Sequence, residues 1–284
     1  MMRSKLFVPG SRPELFLKAL ASEADAICLD LEDAVAKDCK LDARKHVREF
    51  LSSNVKTDKK LMVRVNAVRS PDFADDLAAA ICSGIAVLVL PKVEDPSEVV
   101  DAASALLTIE KERNLQRPIK ILATIESARG LRLAEAIGKA DPRVVGLQLG
   151  LADLFEPLGI NRGDKIATHQ VRLQLRFAAG EAEIACFDGA FPHFADAEGF
   201  TVEAVAARSL GFAGKSCIHP GQIAIANRVF SPTPEEVAFS LRIVEAARAG
   251  AGAFALDGRM IDEPYVRRAE NIIRFANGTD CRNE

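Results

Sequence analysis

Glu126 in ILATIESARG and Asp153 in LQLGLADLFEPLG each stand where a short apolar run stops. If both runs are parallel strands, both carboxylates point into one mouth, where they can share a divalent cation. Carboxylates are hard oxygen ligands, which favours Mg²⁺ or Mn²⁺ over Zn²⁺. Mg²⁺ commonly takes one or two protein carboxylates and leaves positions for substrate. The structural alternative is that the two acids cap the following helices or pair with Arg129 and Arg132. The metal reading points to an enzyme rather than a binding module.

Other polar residues fall at the ends of similar runs: Asp30, Glu32 and Asp33; Arg64 and Asn66; Lys92 and Glu94; Thr124 and Ser127; Gln148; Asp188; His219. The LDLED segment packs three acids together. They cannot all be buried and ionised without a counter-charge, so a metal or partners such as Arg12 and Lys92 must neutralise them. Arg64 sits inside an apolar run, where a guanidinium is rarely left unpaired. It can clamp a substrate carboxylate bidentately or pair with an acid of LDLED. The GKS at 214–216 is no phosphate loop: the glycine required five positions earlier is Ser209, and GKS opens a strand.

The elements that must carry these residues recur along the whole chain. Strand candidates are 5–10, 26–33, 61–67, 86–92, 120–127, 144–150, 183–191 and 215–220. Helical patterns lie between them, with apolar residues spaced three and four apart. Eight alternating units predict a parallel sheet covered by helices, closed as a (β/α)8 TIM barrel over 1–230. An open doubly wound sheet is the runner-up, but the first turn, VPGSRPEL, lacks GxGxxG. Residues 231–284 are expected to form a C-terminal helical extension, part of the same domain or packing on a neighbouring subunit. Thr233, Pro234 and Glu236 spell a helix start, Gly250 and Gly252 a stop, and a turn at Asp257-Gly258 precedes a second helix near Pro264.

Composition narrows the function. The 284 residues are 49% apolar and 27% charged with a net charge of −3, so neither nucleic acid nor a membrane is an expected partner. The six cysteines are scattered without a CxxC pair, as in a reduced cytoplasmic protein. The opening segment has too short an apolar run for a signal peptide. Tyr occurs once and Trp not at all, which disfavours an aromatic ligand platform.

Eight segments taken in order, LFVPGSRPELFLKAL, AICLDLEDAV, VRVNA, VLPKVE, IESARGL, LGLADLFEPLG, GFAGKSCIHPGQI and GRMIDEP, resemble the citrate lyase beta-subunit-like proteins of the HpcH/HpaI aldolase superfamily. The resemblance implies a TIM barrel, a homotrimer and Mg²⁺-dependent cleavage of a 3-hydroxyacyl thioester to an acyl thioester and a 2-oxo acid. The thioester is of the citryl-, citramalyl- or malyl-coenzyme A type. It implies Glu126 and Asp153 as metal ligands and Arg64 as the clamp on the oxo-acid carboxylate. It implies Asp30, Gly150, Leu151 and Ala152 as further substrate contacts, and Asp262 in GRMIDEP as an acid/base brought over a neighbouring mouth. Arg12 and Lys18 are the implied contacts to coenzyme A phosphates. Many relatives carry Thr-Glu-Asp or Ala-Glu-Asp where this chain has Leu151-Ala152-Asp153, so one carboxylate is lost beside the metal ligand. Two alternatives stay open: a class II aldolase using pyruvate and a free aldehyde, and a beta subunit that depends on an acyl carrier protein.

Overall fold

Eight buried aliphatic runs hydrogen-bond side by side until the last meets the first. The strands are β1 (Ser4–Pro9), β2 (Ala26–Asp30), β3 (Lys60–Arg64), β4 (Val87–Leu90), β5 (Lys120–Ile125), β6 (Val144–Leu149), β7 (Ala185–Asp188) and β8 (Gly214–Cys217). All pair in parallel, and β8 pairs β1, so the barrel is closed. The structure is a computed structural model describing residues 2–278 except positions 54, 83, 249 and 251. Parallel strands need both faces covered. Most strand residues are accordingly buried, with an interior cluster that includes Cys28, Met62, Val89, Leu122 and Phe187, against which Phe7 packs.

The outer layer alternates with the strands. It comprises α1 (Phe16–Leu20), α2 (Lys40–Ser52), α3 (Phe73–Ala80), α4 (Pro96–Glu112), α5 (Ala128–Arg132), α6 (Ala134–Lys139), α7 (Leu151–Phe155), α8 (Lys165–Glu181), α9 (Ala197–Ser209) and α10 (Ile223–Val229). Capping side chains open several of them: Asp95 accepts from Ser97 N, Ser127 from Gly130 N, Asp164 from Ile166 and Ala167 N, and Asp196 from Gly199 N. Two details depart from the sequence pattern. The helical pattern between the fifth and sixth strand candidates breaks at Leu133 into α5 and α6. The short α7 follows β6 at once, so Asp153 lies in a helical first turn.

The chain divides into two compact units, Met2–Asn227 and the residues from Arg228 onward. The division lies three residues before the expected end of the barrel at 230, within α10. In the second unit, α11 (Pro234–Arg248) starts with the expected capping box: Glu236 N donates to Thr233 Oγ1 at 3.2 Å, and Thr233 N donates to Glu236 Oε2 at 2.8 Å. A hairpin then appears where only a short segment was expected, β9 (Phe254–Leu256) and β10 (Arg259–Ile261). Its turn residues Asp257 and Gly258 both have positive φ, 50° and 74°, matching the twist of a tight hairpin. Helix α12 (Glu263–Ala276) follows, and Ile243, Ile261 and Ala269 form this unit's small core. No helix among the described residues is long and apolar enough to cross a membrane. Cys28, Cys186 and Cys217 are buried free thiols, and Cys39 and Cys82 are free and partly exposed; Cys281 lies outside the described residues.

Candidate active site

Parallel register sets the first pair of the site. Asp30 ends β2, Arg64 ends β3, and the two are direct partners in the ladder. Arg64 donates through Nε to Asp30 Oδ1 at 2.7 Å and through Nη2 to Oδ2 at 2.5 Å. Its Nη1 lies 3.1 Å from Glu32 Oε2, and the guanidinium stands over the Phe7 ring at 5.0 Å. Burial alone would lower the Arg64 pKa, but the bonds and charges of Asp30 and Glu32 outweigh it and raise the pKa. Asp30 also accepts from Glu32 N at 3.0 Å and Ala34 N at 3.3 Å. Both Asp30 oxygens are therefore engaged, and it bears on the site through Arg64.

Glu126 follows the last residue of β5 and is 5% exposed. Its Oε1 accepts from the backbone N–H of Lys92 at 2.6 Å. Its Oε2 and Cβ lie against Gly150: a β-carbon on residue 150 would come within 2.5 Å of the Glu126 Cβ. Burial, then the charges of Asp153 and Glu32, push the Glu126 carboxyl up to about 8. Asp153 itself is exposed, one turn beyond Gly150. Leu151 between them is buried and Ala152 is exposed.

Lys92 links the acids. It has φ of 53°, a left-handed conformation uncommon outside glycine. That turn aims its N–H at Glu126, while its ammonium pairs with Glu32 Oε1 and lies 3.0 Å from Asp33 Oδ1 and 3.1 Å from Oδ2. Burial raises the Glu32 pKa more than Arg64 and Lys92 lower it. Burial also disfavours the Asp33 carboxylate, but Lys92 and other partners outweigh it and lower that pKa. Behind these residues, Lys40 Nζ donates to Leu31 O, Glu32 O and Asn66 Oδ1 at 2.6, 2.7 and 2.9 Å, and Asn66 is held by Asp76. Nothing in the polar KDCKLDARK stretch marks Lys40 for this part.

Other strand-end residues serve the scaffold. Asp188 is wholly buried between Lys215, at 2.5 Å, and Arg172, at 3.1 Å. These partners, with Glu203, place it in the strand–helix layer. His219 Nδ1 accepts from Gly221 N at 3.1 Å and its ring stacks on Phe194, closing the turn after β8. Thr124 and Gln148 are ladder partners whose Oγ1 and Oε1 are buried without a hydrogen-bond partner. Arg12 and Lys18 are exposed, with Arg12 paired to Glu14 at 2.5 Å. Asp262 lies in the second unit, before α12. Its carbonyl accepts from Tyr265 and Val266, while its carboxylate caps nothing and Oδ1 is buried without a partner.

The site fits a hard divalent cation. Glu126 Oε2 and the Asp153 carboxylate are acidic oxygens that repel one another, and burial makes the Glu126 anion costly without a counter-charge. Among the described residues no cluster of three or more His, Cys, Asp or Glu is arranged to hold a metal. Two carboxylates match Mg²⁺, which keeps waters and substrate oxygens.

A family model described as HpcH/HpaI aldolase/citrate lyase matches residues 3–220. The chain belongs to the HpcH/HpaI aldolase/citrate lyase family. Among family members, the citrate lyase subunit beta of Leuconostoc mesenteroides subsp. cremoris is 35% identical, covering 98% of this chain and 94% of that protein. The L-malyl-CoA/beta-methylmalyl-CoA lyase of Cereibacter sphaeroides (strain ATCC 17025 / ATH 2.4.3) is 34% identical, covering 96% of this chain and 94% of that one. The solved structure of the protein CitE from Mycobacterium tuberculosis, in complex with magnesium, acetoacetate and coenzyme A, matches with a TM-score of 0.79 and 33% identity. It covers 96% of this chain and 97% of that chain. The eight-strand barrel described above is thus shared with a structure of clear sequence similarity.

Proposed function

We propose that this protein is a magnesium-dependent lyase that breaks a carbon–carbon bond in a 3-hydroxyacyl thioester of the citryl-, citramalyl- or malyl-coenzyme A type. The products are an acyl thioester and a 2-oxo acid. The observation that carries the reading is the buried Glu126 carboxylate, repelled by Asp153, at the mouth of a barrel whose relatives include a malyl-CoA lyase. The magnesium, acetoacetate and coenzyme A found with CitE support the same ligand classes here.

Glu126 and Asp153 would hold the cation. Bound there, it supplies Lewis acidity toward the oxygens of the substrate. Arg64, oriented by Asp30 and with its Nη1 beside Glu32, is assigned to the oxo-acid carboxylate, whose charge it offsets. A base takes the hydroxyl proton as the carbon–carbon bond breaks; the hydroxyl oxygen becomes the carbonyl of the 2-oxo acid, and the electron pair of the broken bond leaves on the thioester α-carbon as an enolate. Asp262, whose carboxylate makes no helix cap, is assigned to protonate that enolate. Gly150, Leu151 and Ala152 line the substrate side of the turn that carries Asp153, and Arg12 and Lys18 are assigned to the carrier's phosphates. We assign the assembly as a homotrimer in the cytoplasm, following the family resemblance, with Asp262 serving a neighbouring mouth.

The test is a cleavage assay with citryl-, citramalyl- and malyl-coenzyme A, with and without EDTA, with Glu126→Ala as control. Release of an acyl thioester and a 2-oxo acid from one substrate, abolished by EDTA and by the substitution, is expected. Cleavage only when the acyl group rides on an acyl carrier protein would reassign the chain to the beta subunit of a complex. Activity on pyruvate and free aldehydes alone would reassign it to an aldolase.

A further inference from the structure

Five carboxylates, Asp30, Glu32, Asp33, Glu126 and Asp153, interact with one another or with the same two cations, Arg64 and Lys92. Asp30 is consumed by Arg64. That leaves Glu32 as a buried acid, 3% exposed, joined to Glu126 through Lys92, whose ammonium pairs with Glu32 and whose backbone N–H donates to Glu126. A third protein carboxylate on the cation would raise its affinity, take a position that substrate needs and suit Ca²⁺, which accepts more oxygens, better than Mg²⁺. Lys92 stands where this is decided. Its ammonium pairs with Glu32 Oε1, Arg64 Nη1 and the Asp33 N–H hold Oε2, and the Lys92 backbone N–H fixes Glu126 Oε1 from a left-handed turn.

We propose that Lys92 is a positioning residue that keeps Glu32 off the metal, so that the site remains a two-carboxylate centre open to substrate. The two halves of Lys92 have separate tasks. The backbone N–H orients Glu126, and the ammonium restrains Glu32 and Asp33. Glycine adopts the left-handed conformation at no steric cost. Lys92→Gly therefore retains the first task and removes the second. Asparagine, which also tolerates this region, provides a second variant with a side chain but no charge.

The inference rests on the metal site proposed above, and Mn²⁺ binding separates the two. Mn²⁺ affinity of the full chain would be measured by titration calorimetry or by the free-ion paramagnetic signal, for wild type, K92R, K92N, K92G and the K92G/E32Q double variant, with circular dichroism confirming the fold. K92G and K92N are expected to bind Mn²⁺ about tenfold more tightly than wild type, on the order of one added carboxylate contact, and to shift preference toward Ca²⁺. K92R keeps the positive charge that pairs with Glu32 and should stay within about twofold of wild type, and E32Q should return K92G to about wild-type affinity. Loss of the Lys92 charge alone would tighten all divalent cations alike, so the shift in preference toward Ca²⁺ is what marks an added carboxylate contact. Unchanged or weaker binding in folded K92G and K92N overturns the inference, as does a gain that E32Q fails to reverse. Failure of the wild type to bind Mn²⁺ at all would instead remove the metal site itself.

Discussion

Asp30 and Arg64 face one another across the β2–β3 ladder, and the guanidinium grips the carboxylate through two of its nitrogens, at 2.7 and 2.5 Å. The pair is buried, with side-chain exposures of 1% and 17%. Breaking a buried pair from one side leaves an uncompensated charge, at about 3–5 kcal/mol. Asp30→Asn should therefore lower stability by about 3 kcal/mol in urea unfolding. Arg64→Lys keeps the charge but loses the planar fork, and should cut kcat/KM by about 100-fold while costing less stability. Equal kinetic behaviour of Arg64→Lys and wild type would exclude the bidentate role.

Burial, then the charges of Asp153 and Glu32, raise the Glu126 carboxyl from 4.5 to about 8. Between these values the native state holds a proton that the unfolded chain has released, so Glu126 makes stability fall as pH rises from about 4.5 to about 8. A cation binds the ionised form and offsets this loss. Added Mg²⁺ should raise the melting temperature more at pH 8.5 than at pH 6, and Glu126→Gln should flatten both dependences. A Mg²⁺ shift that is the same at both pH values would count against Glu126 as a ligand.

Gly150 has φ of −110°, which alanine adopts without strain, so the cost of a substitution there is purely steric. A β-carbon at 150 meets the Glu126 side chain. Gly150→Ala should fold, yet bind Mn²⁺ at least about tenfold more weakly, since small displacements of positioned groups cost activity steeply. Retained affinity would show that Glu126 can shift without consequence.

Lys5 is buried among apolar residues with no hydrogen-bond partner for its ammonium, above the Phe7 ring at 5.1 Å. Burial first, and then Arg64, outweigh the nearby thiols and depress its pKa from 10.5 to about 8. That drop corresponds to about 3 kcal/mol at neutral pH. The cost is full below pH 8, where both states are protonated, and fades between about 8 and 10.5 as the native amine gives up its proton first. Lys5→Met should be more stable than wild type by up to about 3 kcal/mol at pH 7, with the gap closing toward pH 10. A less stable Lys5→Met protein would show that the ammonium has a role in the fold.

Asp262 makes no capping bond, so Asp262→Asn should leave α12 and Mn²⁺ binding intact. As the assigned acid, its loss should lower kcat by about 10²–10⁴-fold. Mixing inactive Glu126→Gln and Asp262→Asn chains under subunit exchange should restore some activity if the acid crosses an interface. Full activity of Asp262→Asn would remove it from the reaction.

The eight strand–helix units were legible along the chain because short continuous apolar runs and apolar spacing of three and four are local properties of residues. The capping box at Thr233 and Glu236 and the turn at Asp257-Gly258 were legible for the same reason. The polar strand ends were also visible, since an acid that closes an apolar run stands out by type. What each such residue does was not visible. Asp188 and Asp30 end strands and Glu126 follows one, yet one locks the strand–helix layer, one orients an arginine and one is held by the Lys92 N–H near a neighbouring acid. Strand register and closure of β8 on β1 decide that, because they bring together residues tens to hundreds of positions apart. The left-handed turn at Lys92 and the three-acceptor grip of Lys40 are decisions of the same kind: no local pattern favours them, and only the surrounding packing and hydrogen bonds hold them in place.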